Sequence, residues 1–357
     1  MTCTIRDLLL TAGGAVPALG DEIEQQRRIE DLEKLCTRLQ RQLATAKAKT
    51  ADMVEAVYEG AKDAALVVGS PRPVTIKKDK RKPAGEVALL HTTDWQLGKT
   101  TESYSSEVCV ERVMKMTEKV VKLTEIQRAA HPVRECVVML GGDLVENTAI
   151  FSQQSWEVDS STFAQVFSAS SLIESMLLAL LENFERVRVY EVAGNHGRIG
   201  RGKGQQSVDY ERETNWDRIV GRIARERLAD QDRLEWRVPD SWYELIKIGD
   251  YACFLTHGDQ IRSFGGNTPA HGITRKCLAW SSGVTEPWTD AYMGHFHQPL
   301  SLNLANGGRV FVTPSTESGS EYAREFVAAR GRPAQRLHFV DPDKGMVTAE
   351  YLIWLDQ

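Results

Sequence analysis

Several features that would settle the class of this chain at once are missing from it. No apolar run in the sequence approaches the ~18 residues of a membrane span. The opening stretch M-T-C-T-I-R-D-L-L-L lacks the basic, apolar and cleavage sections of a secretory leader. Six cysteines (Cys3, Cys36, Cys109, Cys136, Cys253 and Cys277) lie far apart, and no two form a C-x-x-C pair. Cys136 and Cys253 fall inside apolar strand-like runs, so buried free thiols and a reducing, cytoplasmic setting are expected, with no membrane partner. A dominant charge is also missing. The net charge is −5, which argues against a protein basic over its whole surface but leaves room for a local basic groove. With 42% apolar and 26% charged residues the composition is that of a globular protein, and 357 residues suffice for a large core.

Three regions follow from the pattern. Residues 1–68 hold a polar, proline-poor run in which Ile29, Leu32, Cys36, Leu39, Leu43, Ala46, Met53 and Val57 fit alternating a and d positions of a heptad, interrupted at Thr50. A short coiled coil, most simply a self-associating dimer, is expected there; a single amphipathic helix on its own domain is the alternative. Residues 69–86, G-S-P-R-P-V-T-I-K-K-D-K-R-K-P-A-G-E, form a basic, proline-rich linker. From 87 to 357 short β-branched runs alternate with helical periodicity. Val87–Leu90, Cys136–Leu140 and Val187–Val192 read as strands with helices between them. Further strands at Tyr243–Ile248, Ala252–Thr256, Ala291–Met293, Val310–Val312 and Leu337–Val340, with one helix at about 268–280, point to a second sheet packed on the first. The fold class is α/β, in layers.

Each strand hands over polar residues where it stops. In order these are T-T-D-W-Q with Asp94 and Gln96, G-G-D-L-V-E-N with Asp143, A-G-N-H-G-R with Asn195 and His196, H-G-D-Q with His257, and G-H-F-H with His295 and His297. Carboxylate, amide and imidazole donors suit a hard or borderline divalent ion such as Mn²⁺, Fe²⁺ or Zn²⁺. They are too many for one tetrahedral ion and enough for two, the usual clamp for phosphoesters.

These five pieces in this order resemble the calcineurin-like metallophosphoesterase superfamily, whose pattern is D-x-H, G-D, G-N-H-[DE], H and G-H-x-H. The resemblance spans about Val87 to Val340. It implies a four-layer αββα sandwich and two divalent ions, Mn²⁺ first, with Mg²⁺, Fe²⁺ or Zn²⁺ as alternatives. Asp94, position 96 and His297 would hold one ion; Asn195, His257 and His295 would hold the other; Asp143 would bridge them. His196 would face the phosphate, and a hydroxide between the ions would attack phosphorus in line. Two departures stand out. Gln96 replaces a histidine, which implies a weaker ligand and a bias away from Zn²⁺. Gly197 and Arg198 stand where an acid usually follows G-N-H, so the partner that orients His196 has to come from elsewhere, Asp259 or Asp209 being candidates.

No arginine follows G-G-D-L-V-E-N-T, which disfavours the phosphoprotein phosphatases. The L-G after D-W-Q and the doubled glycine are similar to the DNA-repair exonuclease branch, the SbcD type, whose relatives are frequent in phage genomes. Arg198, Arg201 and Lys203 in R-I-G-R-G-K-G-Q-Q form a basic loop beside the motif, fit to hold the phosphates of DNA; a solvated surface loop is the plainer reading. Trp95 is a candidate for base stacking or for packing. Two other functions stay open: hydrolysis of a small nucleotide or other phosphoester, and a catalytically weak, metal-bound assembly protein. No partner ATPase can be named from the sequence.

Overall fold

Apolar runs too short for helices become the strands of this protein. In chain order the elements are β1 (Glu86–Thr92), α1 (Ser106–Arg128), β2 (Val133–Leu140), a 3-10 turn (Gln154–Trp156), α2 (Thr162–Leu181), β3 (Arg186–Glu191), α3 (Trp216–Arg227), β4 (Leu234–Arg237), β5 (Tyr243–Ile248), β6 (Tyr251–Thr256), α4 (Ala270–Ala279), β7 (Asp290–Met293), β8 (Leu300–Asn303), β9 (Arg309–Val312), β10 (Ala334–Asp341) and β11 (Met346–Trp354). The computed structural model describes residues 27, 30, 34, 37, 38, 41, 53, 55–63, 70–76, 79–81, 85–148, 150, 154–199, 215–238, 241–261, 269–318 and 331–356. The chain forms two compact units, Met1–Met53 and Val54–Gln357. Most of the heptad-like run, including Ile29, Leu32, Cys36, Leu39, Leu43 and Ala46, lies outside the described residues, as do Lys77, Lys78 and Lys82 of the linker.

Two mixed sheets result. The first has the order β11-β10-β1-β2-β3-β4 and the second β5-β6-β7-β9-β8. In the first, β1 to β4 are parallel, with α1, α2 and α3 as crossovers. Successive side chains alternate between faces, which splits each apolar strand between two cores. Leu90, Val138, Leu140 and Val189 pack under Met116, Val120, Ile173, Leu177 and Val220 of the three helices. Leu89, Val137 and Met139 point the other way, into Ile246, Tyr251, Leu255, Tyr292 and Phe311 of the second sheet. The far face of that sheet, with Phe254, Ala291 and Val312, is covered by Ile273 and Cys277 of α4 and by Trp280. Three cores separate four layers, helix, sheet, sheet, helix.

Strands β4, β8 and β11 and helix α3 were not expected from the sequence. β4 and β8 are four residues each and half exposed, too short and too polar to show a period. β10 and β11 also belong to the first sheet, where β10 pairs antiparallel with β1, and not to the second. Helix α2 is long and apolar enough by composition to cross a membrane, yet most of it is buried in the core. Cys109, Cys136, Cys253 and Cys277 are free, buried thiols.

Candidate metal centre

Strand register brings the motifs together. Thr92 pairs with Leu140 and Leu140 with Glu191, so β1, β2 and β3 end at one level. In the second sheet Leu255 pairs with Tyr292, which places the ends of β6 and β7 side by side. The carboxyl ends of parallel strands are where α/β proteins build sites. Backbone bonds then lock the loops, from Asp94 N to Gly142 O at 2.9 Å, Gln96 N to Asp143 O at 2.9 Å and Gly294 N to His257 O at 3.0 Å.

All seven residues expected as metal ligands converge there. Asp143 Oδ2 lies 3.0 Å from His257 Nε2, and Asn195 Oδ1 lies 3.1 Å from the same nitrogen. Asp143, His257 and His295 offer ligating atoms all within 4.8 Å of one another. Asp94 Oδ1 lies 3.1 Å from His297 Nε2. The Gln96 amide nitrogen sits 3.4 Å from the Nε2 atoms of both His196 and His297, so the side chain faces the site. Arg201, Lys203 and Asp209 lie outside the described residues. Arg198 is described, and it pairs with Asp259.

A cation fits this donor set. His257 Nδ1 donates to Gly141 O at 2.8 Å, which leaves the Nε2 lone pair for a metal. Backbone amides hold the carboxylates from behind. His295 N donates to Asp94 at 3.0 Å, and His196 N donates to Asp143 Oδ1 at 2.7 Å. Buried oxygens Gln96 Oε1 and Glu317 Oε1 have no donor, a cost that a bound ion removes. Glycine is required at two contacts. A Cβ on Gly194 would stand 2.1 Å from Asp143 Oδ1, and one on Gly294 would stand 2.0 Å from Asp94 Oδ2.

Electrostatics follow from burial among like and unlike charges. Burial opposes the charge on His257, but Asp143 and Asp94 hold it well above the usual imidazole range. Burial likewise opposes the charge on His297, and Asp94 and Glu317 raise it to about 10. His295 is pushed down to about 3 by burial and by the charge of His257. Asp143 is held below the usual carboxylate range by His257 and His196, against the effect of burial.

Several supporting residues were missed in the sequence. The partner of His196 is Glu146, whose Oε2 lies 3.1 Å from His196 Nδ1, whereas Asp259 is engaged by Arg198. Glu146 sits three residues after Asp143, in a motif already noted, but its direction is set by the loop. Burial opposes the charge on His196, and Glu146 and Asp143 raise it to about 9. Glu317 plays the matching part for His297, with Oε2 3.4 Å from Nδ1 and 3.2 Å from Lys99 Nζ. Asp217, in the first turn of α3, accepts from the backbone amides of Asp143 (2.9 Å), Leu144 (3.0 Å) and Gly194 (2.8 Å), which ties two motif loops together. Trp95 is fully buried and its Nε1 donates to Thr92 Oγ1, so it packs and does not stack on a base.

No protein-family profile and no curated protein matches the chain. Among solved structures the chain is similar to vacuolar protein sorting 29 of Cryptosporidium parvum, with a TM-score of 0.34, 11% identity, and 76% of this chain and 99% of that one covered. It is similar to Vps29 of Entamoeba histolytica in complex with zinc at TM-score 0.32 and 12% identity, covering 75% and 99% of the two chains. Purple acid phosphatase from yellow lupin follows at TM-score 0.34 and 12% identity, covering 80% of this chain and 55% of that one. Likeness at this level carries no functional assignment, which rests on the site itself.

Proposed function

We propose that this chain is a two-metal phosphodiesterase of the calcineurin-like metallophosphoesterase kind, acting on nucleic acid and on DNA in particular. One observation carries the proposal. Among the described residues, the non-glycine residues with positive φ are Asp94, Gln96, Asp143, Asn147, His295 and His297. Five of them are expected metal ligands. The sixth, Asn147, donates from Nδ2 to the carbonyls of His196 (2.8 Å) and Arg198 (2.9 Å). Left-handed backbone costs energy for such residues, and its concentration at one spot is the mark of a functional site.

Asp94, Gln96 and His297 would hold one ion, Asn195, His257 and His295 the other, and Asp143 both. When bound, two such ions supply positive charge to a phosphoryl group and make a water acidic enough to attack near neutral pH. Mn²⁺ suits the mixed oxygen and nitrogen set best. The protein's own part is placement. Asp217 and the backbone amides fix the carboxylates, and Glu146, 3.1 Å from His196 Nδ1, favours the protonated form of His196, which can stabilise or protonate a leaving oxygen. Arg201 and Lys203 follow the G-N-H motif in sequence and favour a polyanionic substrate, whereas Arg198 is paired with Asp259.

The test is hydrolysis of bis-p-nitrophenyl phosphate, single- and double-stranded DNA and cyclic nucleotides, each with Mn²⁺, with Mg²⁺ and with neither. Metal-dependent cleavage of DNA is expected. His257→Ala and Asp143→Ala should each lose more than the roughly 10–100-fold that changes behind the ligands cost. Parental turnover in either folded variant would remove the site assignment. Cleavage of cyclic nucleotides alone would favour the small-nucleotide reading, and no cleavage at all an assembly role.

A further inference from the structure

One large aromatic side chain stands in the open two residues from a side chain that touches His196. The protein has eight tryptophans. Trp156 is 88% exposed, whereas the other seven are buried or half-buried. It ends the 3-10 turn that begins at Gln154, a residue only 3% exposed. Gln154 Nε2 donates to Glu146 Oε1 at 3.0 Å and lies 3.3 Å from His196 Nδ1. A 3-10 turn advances about 2 Å per residue, so the backbone of Trp156 is one short turn from a side chain that touches His196.

The position is held from both sides. Glu157 N closes the turn on Gln154 O at 3.0 Å, and Thr100 N donates to Glu157 O at 2.7 Å. Asp159 N donates to Gly98 O at 2.9 Å, and Asp159 Oδ2 in turn accepts from Ser106 N at 2.7 Å. The segment that carries Trp156 is thereby bonded to the loop that carries Gln96, and to Glu146 behind His196. Tryptophan is highly buried on average, so an indole 88% exposed stands apart from the other seven. A solvent-facing aromatic on a hydrogen-bonded turn suits base stacking, because every nucleobase has a π face.

We infer that Trp156 is a platform on which a nucleobase of the substrate stacks when its phosphate is held at the metal centre. This rests on the phosphodiesterase reading above and narrows it to substrates that carry bases. The contact tolerates any base sequence, and single-stranded substrate suits it best, since an unpaired base can leave its neighbours to meet the indole.

The experiment compares a thymidine oligonucleotide with the same strand built from abasic tetrahydrofuran units, using the full chain with Mn²⁺. Trp156→Ala is expected to raise KM on the thymidine strand roughly 5- to 150-fold, the span that ~1–3 kcal/mol of stacking implies. kcat should hold, and KM on the abasic strand should not move. Trp156→Phe should recover most of the loss, and both variants should melt with the parent because the side chain is exposed. Equal loss on both strands, or no change on either, would overturn the proposal. A second arm stands apart from hydrolysis. Thymidine oligonucleotide should quench the protein's tryptophan fluorescence, the abasic strand should not, and Trp156→Phe should abolish the difference. Quenching that persists in Trp156→Phe would overturn the platform. If hydrolysis fails, this arm still decides the aromatic contact, so the two readings fail separately.

Discussion

Gln96 shows how much a single residue decides here. Its φ of 44° matches the left-handed backbone of Asp94 and Asp143, and its amide stands between His196 and His297. The buried Oε1 lacks a donor, and half a turn of the terminal amide exchanges it with the nitrogen that faces the imidazoles. An amide oxygen is a weaker donor than imidazole for late first-row ions. Gln96→His is therefore expected to tighten metal binding, more for Zn²⁺ than for Mn²⁺, as read by calorimetric titration at one pH. Unchanged affinity for both would leave Asp94 as the sole ligand from its motif. Glu146 makes the complementary case. Glu146→Gln removes the carboxylate that raises His196 to about 9, so the alkaline limb of the kcat/KM profile should move to lower pH with a loss of about 10–100-fold. A profile that keeps its shape would show that Glu146 does not control His196.

At the scale of elements, the start of α3 acts as a clasp. Asn215 caps the helix by accepting from Asp217 N at 2.8 Å, while its Nδ2 donates to Gly194 O at 2.9 Å. Asp217 then binds the Asp143 loop, so one helix terminus sets the distance between two motifs. The other end of α3 receives helical residues 55–63. Tyr58 is 3% exposed, its OH donates to Glu226 Oε1 at 3.3 Å, and Arg222 lies 3.2 Å over its ring. Truncation should distinguish the two compact units. Removing residues 1–53 is expected to leave hydrolysis of a small diester and the thermal midpoint intact while lowering the number of chains per particle in light scattering. Removing residues 1–68 should cost on the order of 2–3 kcal/mol more, chiefly the burial of Tyr58. An unchanged number of chains per particle in the shorter truncation would rule out self-association through residues 21–53.

Across the whole molecule, the layer between the sheets carries polar groups as well as apolar ones. His338 is buried there, 2.7 Å from the Tyr292 hydroxyl, and Tyr292 OH lies 3.1 Å from Tyr251 OH. Burial and the charge of Arg336 hold His338 well below the usual imidazole range, and His91 is pushed down to about 3 for the same two reasons. Both imidazoles stay neutral in the fold. Below pH 6.5 the unfolded chain takes up protons that the folded chain refuses, so stability falls as pH falls, by about 1.4 kcal/mol per pH unit for each histidine. His338→Gln should show a flatter decline of denaturation midpoint below pH 6.5 than the parent. Parallel declines would place the proton uptake elsewhere.

The motif order, the alternation of strand and helix, and the residues that the fold gathers at the strand ends were legible in the linear chain. Each of these depends on neighbours in sequence: an apolar strand, then a turn, then a polar residue. Strands β4 and β8 were not legible because four half-exposed residues carry no readable period. The place of β10 was hidden too, since pairing beside β1 is decided by a strand more than 240 residues away. Glu146, Asp217 and Glu317 escaped for the same reason, as a carboxylate in a loop says nothing of what it faces. Gln96 sits between the two cases. Its substitution was visible in the sequence, but only the folded loop, with left-handed backbone beneath it, turns the amide toward His196 and His297. Residue type is a local property, whereas burial and direction come from the packing of segments far apart in the chain.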